Sequence, residues 1–174
     1  MSDDGSIITD LGLETPVPNG ADTAPVAGII SQYVRDLSVE NPNAPEAFQW
    51  QDPPQIDVQF NISARQLSEE VSEIALKIDI TSKCEAGTAF IVDLTYAGLV
   101  GMRNLDEASM HAFTYAEAPR ILFPFARRVV SDAVRDAGFP PFLLEPIDFN
   151  GLYVQQLQAQ QDAQSEAAEG AATN

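Results

Sequence analysis

The residue types that most often perform chemistry in proteins are scarce in this sequence. His111 is the only histidine and Cys84 the only cysteine among 174 residues. Cys84 falls in a turn pattern with no histidine near it in sequence, so a nucleophile has no base beside it. Neither a glycine-rich phosphate loop nor a spacing of metal ligands is present. We therefore predict that the protein is not an enzyme and uses no cofactor or metal.

Carboxylates are the exception to this scarcity, because they are abundant along the whole chain. The formal net charge is -17, and the sequence pI is about 4.1. We interpret these carboxylates as a solvated acidic surface rather than as a catalytic pair. Such a surface excludes a simple nucleic-acid binder, which needs a basic face for phosphates. It favours a basic partner.

Length and composition predict one domain with a modest core, since 45% of the 174 residues are hydrophobic. The first residues, Met1 to Asp4, lack the basic and apolar regions of a signal peptide. No apolar run is long enough to cross a membrane. We expect a soluble, cytoplasmic protein.

Alternating apolar and polar residues predict four β-strands. The pattern is clearest at 55–62 and 73–80, and it also occupies 29–40 and 88–100. The polar stretch 63–70 is typical of a turn. Short turns between the later strands predict antiparallel pairing.

Helical spacing replaces the alternation after Gly101. We predict that Asn104 caps a first helix, that a second spans 120–137, and that Asp148 caps a last one. The fold class is α+β, a four-stranded antiparallel sheet with helices on one face. The predicted organisation is a flexible acidic arm (1–28), one domain (29–158) and a disordered tail (159–174).

The strand predicted at 88–100 has two different faces. Phe90, Val92, Leu94 and Tyr96 point to one side and favour packing, whereas Ile91, Asp93 and Thr95 point to the other. The proline-rich loop 41–54, in which we expect neither helix nor central strand, carries Phe48 and Trp50. These aromatics either cap the core or line a binding surface. Apolar residues outside the regular elements indicate an interface or a binding groove.

Several longer motifs resemble the SecB family of bacterial protein-export chaperones. They are Tyr33–Pro45, Ile121–Arg127, Gly138–Pro140 and Pro146–Phe149, and the resemblance covers roughly residues 30–157. It implies a dimer of dimers that acts as a holdase without nucleotide. It further implies that the protein binds non-native precursor proteins and delivers them to SecA, the motor ATPase of export.

The same resemblance implies three sets of site residues. The motor-binding positions are Asp36, Glu40, Ile91 and Asp93. The positions that affect assembly are Val92, Leu94 and Tyr96. The groove for client proteins includes Val58, Phe60, Phe142 and Leu144, with Phe48 and Trp50 in its wall. The loop tryptophan stands about two positions earlier than is usual in the family, which weakens the assignment of Trp50 itself.

Three alternatives remain at this stage. Some SecB-like chaperones serve a toxin–antitoxin partner instead of general export. A small carrier of apolar ligands would have a closed pocket and would ignore unfolded chains. A structural or adaptor oligomer would assemble but would have no affinity for non-native proteins.

Overall fold

A computed structural model describes the backbone of residues 23–172 and the side chains of residues 23–165. Four long strands are followed by three α-helices. The strands are β1 (Val26–Glu40), β2 (Gln55–Gln66), β3 (Val71–Cys84) and β4 (Gly87–Arg103); the helices are α1 (Glu107–Ala112), α2 (Ala118–Asp136) and α3 (Phe149–Ala172).

The strands form one antiparallel sheet in the order β1-β4-β3-β2. The last three strands make a meander, and the long loop after β1 allows β1 to lie beside β4. The predicted fold class is confirmed, with both β1 and β2 at edges of the sheet. We call the side that faces α2 the inner face and the opposite side the outer face.

The strands extend beyond the ends that alternation predicts. The expected turn at 63–70 is wrong in its first half, because β2 continues to Gln66 and pairs with β3 there. β1 begins at Val26, so residues 26–28 are strand; residues 1–22 of the predicted arm lie outside the described part. In the proline-rich loop, where we expected no helix, Glu46–Gln49 form one 3-10 turn.

The predicted helix caps are partly wrong. Asp106, rather than Asn104, caps α1, because its carboxylate accepts the backbone N–H of Ser109 at 2.8 Å. Asn104 has a φ of 56° and its side chain donates to the Ala24 carbonyl at 3.1 Å. The cap of α3 is as expected, since Asp148 Oδ1 accepts the N–H of Gly151 at 3.0 Å.

The core lies between the inner face and α2. A π-helical turn, Phe113–Glu117, joins α1 to α2. α2 places Leu122, Ala126 and Val130 against the central strands. α2 and β4 are close at Gly98, where an added Cβ would lie 2.9 Å from Leu122 Cδ2.

The last helix covers sequence that we assigned to the tail. α3 runs to Ala172, whereas composition predicts a disordered tail from residue 159. The side chains of residues 158–165 are all exposed, which is why no apolar periodicity marks a helix there. No helix within residues 23–172 is long and apolar enough to span a membrane.

Candidate functional site

The outer face holds the four positions expected to bind the motor. Glu40 lies directly opposite Ile91 across the β1–β4 pair, and Ser38 lies opposite Asp93. Asp36 follows two residues further along β1, opposite Thr95. Because directly paired residues point to the same side of a sheet, Asp36, Glu40, Ile91 and Asp93 form one continuous surface.

One lysine lies within this acidic surface. Lys77 Nζ is 3.1 Å from Asp79 Oδ1 and 3.2 Å from Asp93 Oδ2. Hydrogen bonds to Asp79 and then to Asp93 raise the lysine pKa above its ordinary value. Asp93 Oδ1 is buried and accepts no hydrogen bond from the residues that the structure describes. Lys77 therefore holds Asp93 through its Oδ2 atom and neutralises part of the acidic surface.

A second polar cluster on the outer face was not predicted. The carboxylate of Glu73 on β3 is buried; it accepts from Tyr33 Oη at 2.6 Å and from Arg35 Nη1 at 2.9 Å. Arg65 Nη2 lies 3.4 Å from the same carboxylate. The Tyr33 hydrogen bond, followed by the charges of the two arginines, lowers the pKa of Glu73, although burial opposes this. Three strands must align to form this cluster, so no local motif marks it.

An apolar groove lies between the β2 edge and α3. It has a volume of about 250 Å³. Phe60 from β2 is 39% exposed, and its ring meets Phe123 of α2 edge-on at 6.1 Å. Leu152 from α3 is 54% exposed. The remaining lining residues are Asn61, Ile62, Tyr115, Ile147, Phe149, Tyr153 and Gln156. The groove therefore offers both the backbone of an edge strand and exposed apolar side chains.

The expected client residues do not all have the same environment. Phe60 lines the groove, whereas Val58 is partly buried against the core. Phe142 is likewise partly buried, and Leu144 is 3% exposed, so it belongs to the core. Leu144 in this structure offers almost no surface to a client.

The two loop aromatics, Phe48 and Trp50, have different environments. Phe48 is exposed and its ring packs on Phe139, 5.2 Å between centroids, and over Gly138, whose φ is +93°. Phe139 in turn packs on Phe90 of the core at 5.0 Å. Trp50 packs against the core near the turn at Gly87. Phe48 therefore remains available for binding, and Trp50 mainly caps the core.

Alternation in β2 and the apolar positions of α3 were visible in the sequence, yet Ile62, Leu152 and Tyr153 were missed as groove residues. Their position depends on how α3 lies along β2, which spacing alone does not give. Tyr153 is fixed by a 2.8 Å hydrogen bond to Nδ1 of His111. The lone histidine thus connects α1 to α3.

The positions expected to affect assembly lie on the inner face. Val92 and Leu94 are fully buried and Tyr96 is nearly so, all beneath α2. Their neighbours across the β1–β4 pair are Val39, Leu37 and Val34, which are exposed. β1 also has an edge that pairs with no other described strand. This exposed row on β1 was not among the predicted interface residues.

Similarity to known proteins covers almost the whole chain. The family model described as preprotein translocase subunit SecB matches residues 20–160. A protein-export protein SecB from Novosphingobium aromaticivorans is 64% identical over 168 residues, which are 96% of each chain. The protein of the same name from Erythrobacter litoralis is 57% identical and covers 97% of each chain.

Similarity to a solved structure supports the fold. A SecB-like chaperone from Mycobacterium tuberculosis, solved with a peptide from an antitoxin, superposes with a TM-score of 0.59. The match covers 70% of this chain and 90% of that one, at 16% identity. At this identity the likeness concerns the arrangement of the strands and helices.

Proposed function

The chain belongs to the SecB family of protein-export chaperones. On that premise we propose its function and the surface that performs each part of it. It binds non-native precursor proteins in the cytoplasm without ATP, keeps them competent for translocation and delivers them to SecA. The family is one of chaperones and not of enzymes. The observation that carries the proposal is the open apolar groove between β2 and α3.

The groove suits an unfolded chain because it offers two kinds of contact. Phe60 and Leu152 present apolar surface, and each Å² that a client covers contributes about 25 cal/mol. Within the described residues β2 pairs only with β3, so its outward backbone groups can bond to an extended segment. Backbone bonding is independent of sequence, as a chaperone with many clients requires.

The test of client binding compares two exposed residues that line the groove, Leu152 and Phe60, with one exposed residue that does not. We expect Leu152→Ala, or Phe60→Ala, to weaken binding of an unfolded precursor by about tenfold, because each removes roughly 1–2 kcal/mol of apolar contact. Val154 is exposed on α3 but does not line the groove, so Val154→Ala is the matched control. Binding is followed by light scattering and by suppression of precursor aggregation, without nucleotide. Equal binding by all variants would place clients elsewhere.

Docking of the motor is proposed at the acidic outer surface. Asp36, Glu40 and Asp93 would attract a basic segment, and Ile91 lies among them as an apolar contact. Asp36→Asn with Glu40→Gln is expected to slow association with SecA and to reduce its salt dependence. Glu107→Gln with Glu145→Gln makes the same charge change elsewhere. If both pairs of substitutions slow association with SecA equally, the net charge of the chain is responsible and the acidic outer surface is not the docking site.

Assembly into a dimer of dimers is also part of the proposal. Val92, Leu94 and Tyr96 are buried within the subunit, so we propose that they act by holding β1 and α2 in place. The exposed apolar row of Val34, Leu37 and Val39 then contacts a second copy. Several grooves on one assembly would raise the avidity for a single long client.

A toxin–antitoxin role is the second candidate, favoured by the antitoxin peptide bound to the related M. tuberculosis chaperone. The relatives with high identity are named as export proteins instead. A complementation assay separates the two: restoring export of a precursor in cells that lack a SecB supports the export role. Failure to restore export, together with binding to an antitoxin, would favour the alternative.

A further inference from the structure

The Glu73 cluster on the outer face has more positive than negative charge. Arg35 Nη1 contacts Glu73 Oε1 at 2.9 Å, and Arg65 Nη2 lies 3.4 Å from Glu73 Oε2. Each arginine uses one terminal nitrogen here, although a guanidinium group carries five N–H donors. The two arginine side chains are 50% and 65% exposed. Most of their donors are therefore open to solvent, and the cluster keeps one uncompensated positive charge.

A β-bulge in β1 places this cluster beside the acidic surface. The register between β1 and β4 shifts between Val34 and Asp36, and Asp36 pairs with Thr95. Because successive residues of a strand alternate in side, Arg35 and Asp36 would point to opposite faces without this bulge. With it, Arg35 contacts Glu73 on the outer face, and Asp36 lies on the same face. Two neighbouring residues of opposite charge thus share one surface.

The sign of the charge on the outer face therefore changes along the strands. Glu40, at the acidic end, is five residues from Arg35, which is about 17 Å of strand. Asp36 lies between them and forms no ion pair with Arg35 or Arg65 among the residues that the structure describes. A partner segment that is complementary to both regions must carry charges of both signs.

A carboxylate is the anion that best fits the two arginines. The planar guanidinium group binds a carboxylate through two parallel hydrogen bonds, and one negative charge neutralises the excess positive charge of the cluster. A nucleic acid would instead bring many phosphates to a chain of net charge -17, which repels them. The arginines therefore favour an acidic side chain of a protein segment.

We propose that Arg35 and Arg65 bind an acidic residue of the motor segment that docks on the acidic outer surface. In an extended segment this residue lies about five positions from the basic residues that contact the acidic end. The pair thereby determines which segment is accepted and in which direction it lies. Glu73 holds the two guanidinium groups in place and leaves their other donors open. This inference rests on the proposed docking of the motor.

Two capped peptides of equal length test the proposal. KKKGGEEE carries a basic and an acidic block whose centres are about five residues apart, roughly the spacing of the two regions. KKKGGQQQ replaces the acidic block with neutral residues, and both peptides are also made in reversed order. Fluorescence anisotropy at low salt gives the dissociation constant of each peptide. The ratio of the two constants is then compared between variants that carry the same charge change.

Arg65→Gln removes the more exposed arginine, while Arg35 and Tyr33 still donate to Glu73. We expect KKKGGEEE to bind about fivefold more weakly relative to KKKGGQQQ, because a charge-assisted contact is lost. Arg120→Gln makes the same charge change at an exposed position of α2, and it should leave the ratio nearly unchanged. Equal changes of the ratio in both variants would overturn the proposal.

Glu73→Gln is the converse test, because it removes the carboxylate that the arginines already bind and keeps the shape of the side chain. We expect KKKGGEEE to bind about fivefold more tightly relative to KKKGGQQQ. Glu107→Gln, at an exposed position of α1, is the matched control. A ratio that is unchanged or moves the other way in Glu73→Gln would contradict the proposal. Circular dichroism checks that each variant folds, and Arg65→Gln decides alone if Glu73→Gln does not.

Failure of the docking proposal and failure of this inference give different results. If Asp36→Asn with Glu40→Gln leaves the affinity for KKKGGQQQ unchanged, the acidic surface is not a docking site, and the inference is overturned with it. If that double variant binds KKKGGQQQ more weakly, while Arg65→Gln and Glu73→Gln do not change the ratio, the docking surface stands. Only the role of the two arginines is then wrong.

Discussion

Glu73 illustrates how single residues set the properties of the outer face. Its buried carboxylate is stable as an anion only because Tyr33 and Arg35 donate to it at 2.6 and 2.9 Å. Each hydrogen bond to a charged group contributes about 1.5–3 kcal/mol to stability. The loss of one donor therefore destabilises the fold even though the other donors remain. The cluster joins β1, β3 and β2 across the sheet, so it fixes their alignment as well as the local charge.

Tyr33→Phe tests this cluster through its pH dependence. The pKa of Glu73 is lowered in the folded state, so its contribution is present above the ordinary glutamate pKa of 4.5 and is lost as pH falls through the lowered value. We expect the variant to lose about 1.5–3 kcal/mol at pH 7 and much less at pH 2–3. Urea unfolding at both pH values, at a fixed protein concentration, measures the difference.

Tyr153→Phe is the control for this prediction. Tyr153 bonds to His111 rather than to a carboxylate, so its loss should not change the acid part of the pH profile. A Tyr33→Phe penalty that is equal at pH 7 and in acid would show that Glu73 is not the group responsible.

Lys77→Met tests how the acidic surface is tuned, and this prediction rests on the proposed motor docking. The lysine is charged at neutral pH and neutralises part of Asp79 and Asp93, and their hydrogen bonds raise its pKa further. We expect the variant to associate with SecA about two- to fivefold faster at low salt, measured by stopped-flow mixing. Lys83→Met makes the same charge change at the β3–β4 turn. A slower Lys77→Met would mean that the lysine organises the carboxylates for binding.

At the scale of elements, sequence patterns identify the interior of each strand better than its ends. Alternation located β2 through Phe60 and Ile62, but residues 63–66 carry only Ala64 as an apolar residue. They are strand because β3 continues opposite them, which is information from another part of the chain. Asn104 and Asp106 are equally good cap residues by type, but Asp106 caps α1 whereas Asn104 has a φ of 56° and donates to Ala24.

The same limit applies to the candidate site. The positions expected to bind the motor were assigned from the family resemblance, and alternation could add only that they lie on the polar faces of two strands. The Glu73 cluster and the groove were not predictable, since they require the strand order β1-β4-β3-β2 and the placement of α3 along β2. The burial of Leu144 was not predictable either, because a loop residue has no periodicity from which to predict it.

Gly98→Ala tests the contact between α2 and β4. The added Cβ would lie 2.9 Å from Leu122 Cδ2, and Leu122 is fully buried, so either its side chain or the helix must shift. Overpacking of this kind costs about 1–3 kcal/mol, measurable by urea unfolding. Gly28→Ala is the control, because its Cβ would meet nothing within 4 Å. In a Leu122→Val background, Gly98→Ala should destabilise the protein less. If the loss of unfolding free energy is the same in both backgrounds, the contact with Leu122 is not the cause.

At the scale of the whole molecule, the distribution of exposed apolar surface indicates where copies of the chain would meet in the proposed dimer of dimers. The inner-face row of β1 continues the core, yet α2 does not cover it, and Leu37 remains 42% exposed. The β1 edge beside it has backbone groups with no partner among the described strands. An apolar row next to an open edge favours pairing with the same strand of a second copy, related by two-fold symmetry.

Leu37→Asp should therefore dissociate the assembly, because it places a charge in an interface that excludes water. Light scattering across a range of protein concentrations should show a smaller species than the unmodified chain, with the circular dichroism of a folded protein retained. Leu143→Asp adds the same charge to an exposed residue in the loop after α2, outside β1, and its assembly should be unchanged. If both variants dissociate, charge repulsion between acidic subunits is the cause, and the row of Val34, Leu37 and Val39 is not the interface.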